Sequence, residues 1–105
     1  MKAKITVLGA GSWGTALAKL LSENGNYVTV WDKDEDHLME LSNKRVNKKY
    51  LPDVKIPSDI IYKSNIDDAV KDAEIILLVI PTQYIRSVLK LINTEYKENK
   101  IIVNH

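Results

Sequence analysis

Ile5-Thr6-Val7-Leu8-Gly9-Ala10-Gly11-Ser12-Trp13-Gly14 is the stretch on which the fold turns. Its first four residues are apolar or β-branched and stop at a glycine, which reads as a strand. From Trp13 the period changes. Trp13, Ala16, Leu17, Leu20 and Leu21 recur at the spacing of one helical face. Between strand and helix lies G-x-G-x-x-G. The hexamer alone is weak evidence, but a strand directly before it and a helix directly after it give it a mechanism. Gly9 then permits a tight turn, Gly11 bares the backbone to a pyrophosphate, and Gly14 lets the helix close on the sheet. The N–H groups at the helix start, with the positive end of its dipole, favour an anion there. The alternative is a glycine-rich turn with no ligand, and the context weighs against it.

The rest of the chain keeps the alternation. The first helix is expected to stop at Asn24-Gly25, because glycine takes the left-handed conformation that ends helices. Tyr27 to Trp31 is a second strand, and Asp34 to Asn43, with Leu38 and Leu41, a second helix. Residues 44–58 read as irregular. Lys44, Arg45, Lys48 and Lys49 form a basic cluster, most simply a solvated loop, and Pro52 and Pro57 break regular elements. Ile60-Ile61-Tyr62 is a short strand and Ile66 to Lys71 a short helix. Ile75 to Ile80 are six consecutive apolar residues that stop at Pro81, the pattern of a strand covered on both faces. Ile85, Val88, Leu89 and Ile92 give a helix over Gln83 to Ile92, and Ile101-Ile102-Val103 a last strand. The order β-α-β-α-β-α-β-α-β predicts a doubly wound parallel sheet of about five strands in three layers, α/β/α. No helix follows the last strand. Further chain of a longer protein, or a second chain, is expected to shield it, and its bare edge favours homo-oligomers.

Composition narrows the class. The 105 residues suit one domain. Lys plus Arg total 15 against 14 Asp plus Glu, so the basic excess of a nucleic-acid binder is missing. Apolar residues make up 45%, which excludes disorder. The absence of cysteine excludes disulfides, zinc–thiolate and iron–sulfur sites, and thiol catalysis. No apolar run approaches the roughly 20 residues of a membrane span. The N-terminus lacks the pattern of a secretory signal, so a cytoplasmic location is expected.

The end of the second strand should select the ligand. A carboxylate there binds the ribose hydroxyls of NAD, whereas a basic group accommodates the 2′-phosphate of NADP. Asp32 lies 18 residues past Gly14, and Lys33 follows it, so both chemistries are on offer. Asp34, Glu35 and Asp36 read equally as a solvated helix start, since acids are favourable near a helix N-terminus. Pro81 closes the fourth main strand at its carboxyl edge, where ligands bind in open parallel sheets, or it simply terminates that strand. His37 reads as an exposed helix residue and His105 as the chain end, so neither is taken as a general base. Trp13 and Trp31 read as packing residues, although Trp13 sits inside the phosphate turn.

These residues carry a family resemblance. Ile5 to Ala18, with Ser-Trp-Gly-Thr-Ala-Leu-Ala at its heart, closely resembles the opening of bacterial-type NAD(P)-dependent glycerol-3-phosphate dehydrogenase. Asn24-Gly25, Val30-Trp31, Asn47 with Tyr50-Leu51-Pro52, and Val79-Ile80-Pro81-Thr82 followed by Ile85-Arg86 and Val88-Leu89 match in the same order. The resemblance implies a Rossmann domain over residues 1–105 that binds NADPH or NADH, followed in the family by a helical substrate domain. It implies reduction of dihydroxyacetone phosphate to sn-glycerol 3-phosphate for phospholipid synthesis. By position Ser12, Trp13, Lys33 and Tyr50 resemble the family's cofactor contacts. Asp32 departs from the small residue common there and leaves both cofactors open. The lysines that the family uses in catalysis fall beyond Asn104-His105, so the chain is expected to bind cofactor without catalysing reduction. Two other readings share the fold. One is a β-hydroxyacid or 6-phosphogluconate dehydrogenase-like reductase, against which Ser12-Trp13-Gly14-Thr15 and Tyr50-Leu51-Pro52 weigh. The other is a stand-alone NAD(H)-sensing module.

Overall fold

The computed structural model describes residues 2–98 and 100–104. Five parallel strands form the central sheet: β1 (Lys4–Leu8), β2 (Tyr27–Trp31), β5 (Ile61–Tyr62), β6 (Ile75–Leu78) and β7 (Ile101–Asn104). Their spatial order is β5-β2-β1-β6-β7. Leu8 pairs with Trp31 on one side and Leu78 on the other, so three strands end level at their carboxyl edge. The chain runs outward from β1 first in one direction and then in the other. The switch between β1 and β6 opens a crevice at that edge.

Strand alternation sorts the core into two layers. Ile5, Val7, Val28 and Val30 face one side, where they meet Ala18 of α1 (Ser12–Glu23) and Leu38 and Leu41 of α2 (Glu35–Lys44). Leu8, Trp31, Ile76 and Leu78 face the other. There they meet Ala69 and Val70 of α3 (Ile66–Val70) and Val88 of α4 (Ile85–Leu91). The unbroken run from Ile75 feeds both layers, with Ile76 and Leu78 in the second and Ile75, Leu77 and Val79 against the first. Burying one such aliphatic side chain contributes roughly 1.5–3 kcal/mol. Thr6, buried in β1, donates its hydroxyl proton to the Ala69 carbonyl and ties α3 to the sheet. A 3-10 turn, Thr82–Tyr84, precedes α4. Edge strand β7 leaves Ile101, Ile102 and Val103 exposed.

Three expectations need correcting. The buried face of α1 is Gly14, Thr15, Ala18 and Ser22, while Trp13 is 55% and Leu20 53% exposed. Helical periodicity picks out the large apolar residues, yet a helix lying close on a sheet needs small ones at the crossing. Trp13 is therefore no core residue, whereas Trp31 is buried and its indole N–H donates to the Ser64 carbonyl at 2.9 Å. Residues 44–58 are not irregular. β3 (Val46–Asn47) and β4 (Leu51–Lys55) pair antiparallel in a small separate ribbon, which tolerates Pro52 because a two-stranded ribbon leaves N–H positions unpaired. Arg45 is not a solvated loop residue. It caps α2 in the left-handed conformation, φ 55°, donates to the Ile60 carbonyl at 2.6 Å and lies 5.5 Å over the Tyr62 ring.

Candidate functional site

A cleft of about 530 Å³ opens at the carboxyl edge of β1, β2 and β6. Gly9, Gly11, Asp32, Lys33, Tyr50 and Pro81, all singled out from the sequence, line it together. Ser12 and Trp13 begin α1 and are exposed, and Gly14 is buried behind the turn. His105 lies outside the described residues.

The three glycines divide the work. Gly9 has φ +122°, a conformation that L side chains rarely adopt. A β-carbon there would collide with the Val79 carbonyl of β6's extension. One on Gly14 would lie 2.9 Å from the Gly9 carbonyl carbon and closer still to its oxygen. Both positions are fixed by the protein's own packing. Gly11 is different, since a β-carbon there meets nothing within 4 Å. Its missing side chain leaves that part of the cleft open.

Charge is arranged to match. α2 and α3 are capped by Asp34 and Asn65 side chains and carry acids in their first turns. α1 starts at Gly11 with no side-chain cap and no acid in its first turn. Its positive dipole end is thus not offset by a carboxylate of its own, which suits an anionic ligand.

The turn is held from behind. Asp32 accepts the Ala10 N–H on Oδ2 at 2.8 Å and the Asp34 N–H on Oδ1 at 3.0 Å. A carboxylate has about four acceptor sites, so lone pairs remain for hydroxyls in the cleft. On the far side of the same residue, the Ala10 carbonyl accepts from His37 Nε2 at 2.8 Å, Asn47 Nδ2 at 3.0 Å and Thr15 Oγ1 at 3.4 Å. Asn47 is fully buried and spends its second amide proton on Thr15 Oγ1 at 2.9 Å. His37 corrects its expected exposure: it is half-buried, bonded to Ala10 and edge-on to Tyr50, with ring centroids 5.4 Å apart. Sequence spacing gives no hint of this, because the partner is a backbone carbonyl 27 residues away.

The rim is aromatic and basic. Lys33 places its ammonium 4.6 Å over the Tyr84 ring, and Lys49 lies 5.0 Å from that of Tyr50. The neighbouring Tyr50 hydroxyl raises the Lys49 pKa above its ordinary value. Tyr84 and Leu91 extend the cleft wall and were not singled out from the sequence. Among the described residues no group of three or more His, Asp or Glu side chains could hold a metal ion.

Residues 4–105 match the family described as NAD-dependent glycerol-3-phosphate dehydrogenase N-terminus. The chain belongs to that family. It is 42% identical over 101 residues to the glycerol-3-phosphate dehydrogenase [NAD(P)+] of Carboxydothermus hydrogenoformans, covering 96% of this chain and 30% of that one. It is 40% identical over 104 residues to the enzyme of the same name from Enterococcus faecalis, covering 99% and 31%. The crystal structure of glycerol-3-phosphate dehydrogenase from Coxiella burnetii superposes with a TM-score of 0.81 at 32% identity, over 98% of this chain and 32% of that one. The Saccharomyces cerevisiae glycerol-3-phosphate dehydrogenase gives 0.87 at 26% identity, over 99% and 33%. This glycerol-3-phosphate dehydrogenase N-terminal domain thus spans about a third of the length of those relatives. No described helix is long and apolar enough to cross a membrane.

Proposed function

We propose that residues 1–105 form the cofactor domain of a two-domain dehydrogenase and hold NADH or NADPH in the cleft. The observation that carries this is Gly11, whose missing side chain leaves open space beside an uncapped helix start. The pyrophosphate is assigned to the turn from Gly9 to Gly14, with Ser12 and Trp13 at its rim. Asp32 faces the adenosine ribose, Lys33 a 2′-phosphate when one is present, and Tyr50 and Pro81 border the cofactor. A bound reduced nicotinamide would supply the hydride. The protein's part here is to bind it, orient it and keep water from one side.

The whole protein would reduce dihydroxyacetone phosphate to sn-glycerol 3-phosphate in the cytoplasm, with the proton-donating group outside this chain. Carbonyl reduction needs a donor at the developing alkoxide, and no residue of the cleft is assigned that part. The edge left by β7 supports a homo-oligomer.

Calorimetric titration of the chain with NADH and NADPH, alongside Gly11→Val, tests the reading. Binding by the native chain and its loss in the variant are expected. Failure of both dinucleotides to bind the native chain overturns it. Dihydroxyacetone phosphate-dependent oxidation of NADH by the chain alone overturns the assignment of catalysis elsewhere.

A further inference from the structure

The Ala10 carbonyl gathers three side-chain donors from three separate elements: His37 of α2, Asn47 of β3 and Thr15 of α1. A carbonyl oxygen has two lone pairs, so this one is saturated. Its partner across the peptide bond is the N–H of Gly11. In a planar trans peptide, C=O and N–H point to opposite sides. Fixing the Ala10 oxygen toward α2 and β3 therefore fixes the Gly11 N–H away from them. The Ala10 N–H is held independently by Asp32 at 2.8 Å, so the peptide planes on both sides of Ala10 are held in place.

We infer that His37 and Asn47 are positioning residues that aim the Gly11 N–H at the anionic group of the dinucleotide. In this role they act through the Ala10 peptide, although His37 also lines the cleft. His37 must carry its proton on Nε2, since its partner is a carbonyl and can only accept. Its ring is kept in place by the Tyr50 edge, 86° to its plane, and its own backbone N–H donates to Asp34 Oδ1 at 3.0 Å. Asn47 is fixed by accepting the Tyr50 N–H on Oδ1 at 3.2 Å. The β3–β4 ribbon thus has a task in the site although it lies outside the main sheet. A glycine turn is inherently mobile, and a preset N–H removes the cost of orienting it on binding.

The inference rests on the proposed dinucleotide site, and its test separates the two. NADH binding is measured by calorimetry for the native chain, His37→Ala and His37→Gln, with the Gly11 amide followed by 15N–1H NMR without ligand. Glutamine restores an N–H donor and alanine does not. His37→Ala should weaken NADH binding about five- to twentyfold, the loss of one well-formed hydrogen bond. Its Gly11 cross-peak should move, while its unfolding midpoint stays within a few degrees of the native one. His37→Gln should return both binding and cross-peak toward native. Native binding with undiminished affinity in His37→Ala, or an unmoved Gly11 cross-peak, overturns the positioning role alone. Equal weakening in both variants overturns it too, because the donor is then not the cause. A native chain that binds neither dinucleotide overturns the proposed site and this role together.

Discussion

The Gly9 carbonyl fills the space that a β-carbon on Gly14 would need. The sheet-to-helix turn and the first turn of α1 are thereby packed backbone against backbone. Gly14→Ala should cost about 2 kcal/mol or more by overpacking against a group that cannot rotate away. In a domain of this size that lowers the unfolding midpoint by roughly 10 °C. Gly11→Ala meets open space and should change stability by no more than about 0.5 kcal/mol, yet abolish dinucleotide binding. Thermal melts paired with titrations of both variants check the contrast. Equal destabilisation by the two substitutions would refute it.

Asp32 and Lys33 should separate when mutated. Lys33→Ala should lower affinity for NADPH about three- to tenfold and leave NADH nearly unchanged, as an exposed point charge acts on one phosphate. Asp32→Ala removes the acceptor of two backbone N–H groups and should destabilise the fold by about 1–3 kcal/mol before any ligand is added. Denaturant unfolding of the free chain measures the second effect, and a native midpoint for Asp32→Ala would contradict it.

Tyr62 gives a pH signature. Burial pushes its hydroxyl up to about 12, against the lowering effect of the Arg45 charge beside it. The folded state therefore holds this proton more tightly than the unfolded chain, whose tyrosine titrates near 10. The contribution is fully present below pH 10 and is lost as pH rises toward 12. Part of the ring meets solvent, so the loss should be about 1–2 kcal/mol and not the full two-unit value. Tyr62→Phe should flatten that decline. The native-minus-variant difference in unfolding free energy between pH 9 and 12 isolates it from the lysines, and a constant difference would count against the assignment.

The exposed β7 edge should pair with a second copy. Ile101 is 62% exposed and both neighbours after it are exposed as well. Such an edge offers a row of unpaired N–H and C=O groups. Light scattering should show mass rising with concentration for the native chain, and Ile102→Lys should suppress the rise. A native chain that stays monomeric at millimolar concentration would dispose of the idea.

What the residues disclosed in order, and what they hid, has a physical pattern. The strand–turn–helix at Gly9 to Gly14, Asp32 at the end of β2 and the double-sided run from Ile75 were legible because each is a local signal: a period, a turn residue, a change of period. The buried face of α1 does not follow from hydrophobicity alone, because size decides it: the sheet admits Gly14, Ala18 and Ser22 where it has no room for Trp13 or Leu20. The β3–β4 ribbon leaves little trace because β3 has only two residues and β4 carries Pro52 near its start, which reads as a breaker. The structural roles of His37, Arg45 and Asn47 are not legible in the sequence, because each bonds to main-chain carbonyls remote in sequence, and main-chain atoms leave no mark on a side-chain pattern.

Asp32 holds two backbone N–H groups and also stands where a cofactor's ribose is expected. A substitution there would act on the turn and on the proposed ribose contact at once. In this chain, replacing the carboxylate to favour a different nucleotide also releases the Ala10 and Asp34 N–H groups. Lys33 accepts no backbone N–H and leans on the Tyr84 ring, so a designer wishing to retune the domain should begin there.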